Sequence, residues 1–213
     1  GKAFRNEVTP RNFIFRTREF EQMEMEWFCH PEESLQWLEF WKKQRMAWWT
    51  GLGVDPAKLR LREHASDELA HYSKACVDVE YLYPFTAPDF GELEGIAHRG
   101  CFDLTQHQTH STQKLEYFDQ EKNQRFMANV IEPASGLTRA VLVVLCESFF
   151  EEWVPTSEQG GAAIPAEPGK PAPAGYEVRS VMRFLPKLAP VKAAVFPLLK
   201  NKPELVQKAR EVY

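Results

Sequence analysis

The chain has 213 residues, of which 44% are hydrophobic and 26% charged, enough for one substantial core and a partial second unit. Its net charge of −4 excludes a polycation, so any contact with nucleic acid has to run through local basic patches. There is no signal peptide and no apolar run long enough to span a membrane, and four widely spaced cysteines without a C-x-x-C pair read as reduced thiols of a cytosolic protein. Cys101, His107 and His110 fit no common zinc spacing. The chain opens in a strand without an initiator Met, which suggests a piece of a longer protein.

The first predicted element is an antiparallel hairpin. Its arms are Phe4-Arg5-Asn6-Glu7 and Arg16-Thr17-Arg18-Glu19-Phe20, and its turn is Thr9-Pro10-Arg11-Asn12, where Pro fixes φ and Asn tolerates tight geometry. Lys2, Arg5, Arg11, Arg16 and Arg18 stand against Glu7 alone. Glu19, Glu21, Glu24, Glu26, Glu32, Glu33 and Glu39 then follow with no Lys or Arg among them. Guanidinium forks match phosphate oxygens and a phenylalanine offers a flat face to a purine, so a basic hairpin feeding an acidic strand can hold a triphosphate beside a small cation. The competing reading is a solvated, charged hairpin.

Period-two alternation predicts a strand over 20–28, with Met23, Met25 and Trp27 on one face and Gln22, Glu24 and Glu26 on the other. A helix is predicted over 31–52, opened by Pro31 and stopped by Gly51 or Gly53, with Leu35, Leu38, Trp41, Trp48 and Leu52 as its apolar stripe. Ser66-Asp67-Glu68 predicts a short helix to about Lys74. Strands follow over 77–83 and 92–96, a helix over 102–111 and a strand over 126–131 running into Glu132-Pro133. Ser135 is then expected to cap a long helix from Gly136 to about Trp153, whose first turn carries Arg139 where the helix end favours anions. The Pro-, Gly- and Ala-rich stretch 155–175, with Gly160-Gly161-Ala162-Ala163 inside it, reads as a linker, and a strand over 191–196 and a helix over 203–213 close the chain. Strands interspersed with helices make the expected class α+β.

The stretch from Phe4 to Glu26, with the loop Val8-Thr9-Pro10-Arg11-Asn12-Phe13 and the tail Phe20-Glu21-Gln22-Met23-Glu24, resembles motif 2 of class II aminoacyl-tRNA synthetases, specifically the dimeric glycyl-tRNA synthetases. Glu132-Pro133-Ala134-Ser135-Gly136-Leu137-Thr138-Arg139 resembles motif 3 of the same family. Asp67-Glu68-Leu69-Ala70-His71-Tyr72 and Gly91-Glu92-Leu93-Glu94-Gly95-Ile96 match the region between. The resemblance implies an antiparallel sheet flanked by helices over 1–153, a linker or insertion over 154–176, and the start of an α/β anticodon-binding domain over 177–213. Motif 1, which helps build the dimer in that family, is absent.

The implied activity is ATP-dependent activation of glycine to glycyl-adenylate and transfer to the 3′ end of tRNA(Gly), with ATP and Mg²⁺ as cofactors, glycine and tRNA(Gly) as partners, and a homodimer as the full-length assembly. By resemblance, Arg5 binds the α-phosphate and the amino acid carboxylate, Glu7 the adenine amino group, Arg16 the γ-phosphate and Phe20 the adenine ring. Arg139 covers the other adenine face or the phosphates, and Glu92 is a candidate Mg²⁺ ligand. Arg5, Arg16 and Arg139 are the catalytic set; Asn6, Phe15, Thr17, Arg18, Glu19, Leu93, Gly136, Leu137 and Thr138 complete the expected ATP site. The expected glycine site is Phe20, Glu21, Gln22, Met23, Glu24, Glu132, Pro133, Ala134, Ser135 and Gly136, with Gln22, Glu24 and Glu132 facing the ammonium. A carboxylate filling the space of a Cβ binds the cation and rejects alanine. The family usually has serine directly after the Glu-Pro of motif 3; here that position is Ala134 and the serine is Ser135. Either the hydroxyl comes from that neighbouring position or one substrate hydrogen bond is lost, because a shift by one residue changes the direction of the side chain. The other function weighed is a non-catalytic, synthetase-like accessory protein that binds nucleic acid; such a relative is expected to lose the arginine and carboxylate set kept here.

Overall fold

The computed structural model describes residues 1–156 and 161–213. The chain divides into two compact units, Gly1–Phe149 and Phe150–Tyr213. In the first, seven antiparallel strands form one sheet: β1 (Lys2–Phe4), β2 (Glu19–Glu24), β3 (Trp27–Cys29), β4 (Leu59–Glu63), β5 (Ala75–Tyr81), β6 (Gly91–Gly100) and β9 (Asn129–Gly136). The order is β1-β2-β9-β6-β5-β4, with β3 also pairing β9. A small separate hairpin is made by β7 (Tyr117–Asp119) and β8 (Gln124–Phe126). The helices of this unit are α1 (Ser34–Gly51), preceded by a 3-10 turn at Pro31–Glu33, α2 (Phe102–Ser111) and α3 (Leu137–Ser148). This matches the α+β class, and no helix among the described residues is long and apolar enough to cross a membrane.

The predicted strand over 20–28 is two strands on one register. Glu24 faces Ala134 and Trp27 faces Ile131, so the same register sets Glu26 opposite Glu132 and Met25 opposite Pro133. Pro133 has no N–H to give the ladder, and only the Met25 N–H to Pro133 carbonyl bond of 3.1 Å bridges the gap. Directly opposed residues share a face of the sheet. One face carries Val79, Ile96 and Ile131 into a core shared with Leu38 and Trp49 of α1 and Ala140 and Val143 of α3. On the same face the buried Glu94 carboxylate accepts from Trp49 Nε1 at 2.6 Å and from Arg45 Nε at 2.5 Å. The opposite face is open and carries Gln22, Glu24, Cys76, Asp78, Gly95, Ala97, Glu132 and Ala134.

Several expectations need correction. The stripe of α1 does not include Leu35, which is 67% exposed; the fully buried residue is Trp49. No helix forms over 66–74. The Glu68 carboxylate folds back onto the Ala65 N–H at 2.9 Å and onto Arg62, and the chain turns instead into β5. Ser135 is no helix cap: it lies inside β9, and Gly136 takes the cap position of α3. That helix stops at Ser148, and the aromatic run that follows forms β10 (Phe149–Pro155).

In the second unit β10 pairs with β11 (Ile164–Pro165) and with β12 (Tyr176–Met182). Buried Glu152 draws Arg179 (2.7 Å) to this small sheet. Gly160, named in the expected linker, lies with 157–160 outside the described residues. The expected strand over 191–196 does not form; Val191 and Phe196 are 70% and 82% exposed, and no described strand pairs with them. The closing helix is α4 (Pro203–Val212).

Candidate functional site

The hairpin exists, and its tip lies later than the turn residues suggested. Arg5 N–H bonds the Arg18 carbonyl at 2.9 Å, and Arg11 and Arg16 exchange backbone bonds of 3.0 and 3.2 Å. The reversal falls at Asn12 and Phe13, both left-handed with φ of 56° and 53°. Asn accepts that conformation readily; Phe13 adopts it with its ring 76% exposed. Inside the hairpin Glu7 acts as an anchor: its carboxylate lies 3.4 Å from Arg16 Nη1 and its carbonyl accepts from Arg18 Nε at 2.9 Å.

Between this hairpin and the N-terminus of α3 lies an open cleft. The Arg5 guanidinium sits 5.2 Å from the centre of the Phe20 ring, and that of Arg139 sits 4.4 Å from the Phe15 ring. Arg139 is fixed twice more: Nε donates to the Phe15 carbonyl and Nη1 to the Glu92 carbonyl, both at 3.0 Å. The Glu92 carboxylate approaches the same Nη1 at 3.3 Å. Phe15 in turn packs edge-on against Tyr83 and Phe85, 4.9 and 5.2 Å away. The first turn of α3 opens beside the cleft with no side chain capping its N–H groups, so the helix end adds positive potential.

Glu92 and Ala134 also line a second, acidic pocket on the open face of the sheet. Its floor is Gly95, Ala97 and Ala134, and small residues leave room for a ligand above the sheet. Its rim holds Glu132, Asp78, His64, Glu68 and Tyr72. Arg99 grips Glu132 at 2.8 Å and Asp103 at 2.8 Å while stacking on Tyr72 at 4.4 Å. Burial pushes the Glu132 carboxyl up to about 7, helped by a shared hydrogen bond and repulsion from Glu26, with Arg99 opposing. A half-buried carboxyl facing a second carboxylate marks a place where an outside cation would be welcome. Asp78 is also raised by burial, against the lowering contact of His64 at 2.7 Å.

No family model matches the chain. It is 48% identical over 212 residues to the glycine–tRNA ligase of Nocardia farcinica and 47% over 212 residues to that of Cutibacterium acnes. It is 45% identical over 237 residues to that of Rhodopirellula baltica. Each alignment takes in 100% of this chain. Along its full length, then, the chain is similar to these glycine–tRNA ligases. It spans 41–42% of the length of these relatives.

Of the residues expected from the synthetase resemblance to hold ATP, the cleft brings together Arg5, Glu7, Phe15, Arg16, Thr17, Phe20, Glu92, Leu93, Gly136, Thr138 and Arg139. Asn6 lines the neighbouring basic hollow with Arg5 and Arg11. Arg18 and Glu19 point elsewhere, into the Glu7 carbonyl and the Lys2 ion pair at 2.6 Å, and Leu137 lines neither pocket. Of the expected glycine residues, Phe20, Gln22, Ala134 and Gly136 line the cleft, and Glu132 with Ala134 the acidic pocket. Glu24 shares the open face opposite Ala134. Glu21, Met23, Pro133 and Ser135 fall on the alternate positions and are not brought to the site. Ser135 opposes Glu94 on the core face, is 1% exposed, and its hydroxyl has no partner among the described residues. Sequence reasoning missed Arg99, His64 and Asp78. The visible signal was the spacing Arg99 to Asp103, one helical turn that ties a strand end to α2.

Proposed function

We propose that this chain carries the ATP- and glycine-binding half of a glycine–tRNA ligase catalytic site. The reading is supported most by one observation: an arginine-lined aromatic cleft runs into a carboxylate-lined pocket floored by Gly95, Ala97 and Ala134. ATP lies in the cleft with its adenine against Phe20 and its phosphates toward Arg5, Arg16 and Arg139. Glycine lies at the junction, its carboxylate toward Arg5 and its ammonium toward Glu132, Gln22 and Glu24. The glycine carboxylate oxygen attacks the α-phosphorus, the bond to the bridging oxygen breaks, and pyrophosphate leaves. Arg5 holds both reacting groups and neutralises the charge that gathers on the α-phosphate.

Glu92 suits Mg²⁺ in a limited way. Its carboxylate is 57% exposed and one oxygen is spent on Arg139, leaving the other for an ion that takes most of its ligands from phosphate and water. A Mg²⁺ ion held by Glu92 would supply positive charge for the leaving pyrophosphate. Transfer of the glycyl group to the 3′ end of tRNA(Gly), a homodimeric assembly and a C-terminal unit that begins an anticodon-binding domain complete the reading. Calorimetric titration with a non-hydrolysable glycyl-adenylate analogue, against the alanyl analogue, tests it. Tight glycyl binding lost in Arg5→Ala and much weaker for the alanyl compound is expected; equal binding of the two would remove glycine from the reading.

A further inference from the structure

The strand pair β4–β5 ends in a cluster that the reading above does not use. His64 follows β4 directly, and its N–H bonds the Cys76 carbonyl at 2.9 Å, which sets it opposite Cys76. Asp78 stands two residues further along β5 and on the same face. One ligand atom from each of His64, Cys76 and Asp78 lies within 4.8 Å of the other two. All three line the same open pocket.

We propose that His64, Cys76 and Asp78 bind a borderline-soft divalent metal ion, zinc by preference, at the β4 side of the acidic pocket. Zinc bonds of about 2.0–2.3 Å set tetrahedral ligand atoms roughly 3.3–3.8 Å apart. The cluster reaches that by small side-chain rotations on a rigid pair of strands, opening the 2.7 Å contact between His64 Nε2 and Asp78 Oδ2. Asp78 has a carboxylate oxygen to spare. Oδ2 takes the contacts of His64 and of Arg62 (3.7 Å), while Oδ1 accepts no hydrogen bond from the described residues. Gly95 keeps the space beside Oδ1 open, since a Cβ there would stand 3.9 Å from it.

The donor chemistry narrows the ion. One imidazole, one thiolate and one carboxylate suit zinc or cobalt; the sulfur disfavours magnesium and calcium. With three protein ligands the fourth position faces the cavity, the arrangement of an open zinc site and not of a closed structural one. Binding displaces the thiol proton of Cys76, and the sulfur then bonds the metal.

Co²⁺ added to chelator-treated, reduced protein tests this without any activity assay. The expected result is saturation at one equivalent, with a near-ultraviolet thiolate-to-cobalt charge-transfer band that stoichiometric Zn²⁺ abolishes. Cys76→Ser removes that band, and His64→Gln weakens Co²⁺ affinity at least tenfold, each with an unchanged circular dichroism spectrum. If Cys76→Ser does not fold, His64→Gln and Asp78→Asn carry the test alone. Absence of a charge-transfer band would overturn the proposal. So would a band that survives Cys76→Ser, which would assign the sulfur to Cys29, Cys101 or Cys146.

Discussion

The two ends of the site are built in opposite ways. The arginine-lined end is a hairpin and a helix terminus held by polar clasps: Arg139 on two carbonyls, Arg18 on a third, and Glu7 between arginines. The carboxylate-lined end is a strip of sheet whose residues are fixed by register, with the Glu132 carboxyl raised by burial and opposed by Arg99. The cleft end mixes covered charges, Arg139 and Glu7, with more open ones, Arg16 and Glu92. The sheet end is rigid, and that suits exclusion of a methyl group.

The largest effect is expected at the clasp. Arg139→Ala removes a charge aimed at the cleft, two hydrogen bonds to backbone carbonyls and a cation–π contact. Charge-assisted bonds contribute about 1.5–3 kcal/mol each, so ATP affinity should fall about 100-fold in calorimetry. Arg5→Ala, which leaves the hairpin backbone intact, should cost about 30-fold on the same scale. If Arg139→Ala bound ATP as wild type does, the clasp would be structural only and the comparison would collapse.

At the sheet end, Glu132→Gln should lower affinity for the glycyl-adenylate analogue about tenfold or more while leaving ATP affinity unchanged. An equal loss for both ligands would mean that the two ends are not separable. The Phe4–Phe20 hairpin and the Glu132–Arg139 segment were legible in sequence because their candidate site residues are neighbours along the chain. Glu26 facing Glu132, Arg99 gripping Glu132, and His64 meeting Asp78 were not, since sheet register alone joins them. Ser66-Asp67-Glu68 failed as a helix signal for the same reason: Glu68 has a partner in β4, Arg62, which local propensity cannot see.

A pH titration sharpens the difference. The Glu132 carboxyl is raised to about 7 in the folded protein, so below that value the pocket carries a proton where the ligand ammonium should sit. Between pH 6 and 8, affinity for the glycyl analogue should therefore rise about tenfold, with proton release seen as a dependence on buffer ionisation heat. The sign for stability is opposite. A carboxyl whose folded value is raised binds its proton more tightly when folded, so this group favours the native state below its ordinary range and that contribution is lost as pH rises toward 7. Glu26→Gln should move the midpoint of both curves down, because it removes the repulsion. An unmoved midpoint would leave burial alone as the cause.

The smallest effects concern Ala134 and Ser135. Ser135→Ala removes from the core face a buried hydroxyl with no partner among the described residues, so melting temperature should hold or rise, and glycyl-analogue affinity should not change. Ala134→Ser puts a hydroxyl on the open face, above the floor shared with Gly95 and opposite Glu24. One added hydrogen bond contributes about 0.5–1.5 kcal/mol, so affinity should improve roughly three- to tenfold. A loss on Ser135→Ala together with no gain on Ala134→Ser would mean that the strand runs through Pro133 in the other register, and every assignment of face along β9 would reverse with it.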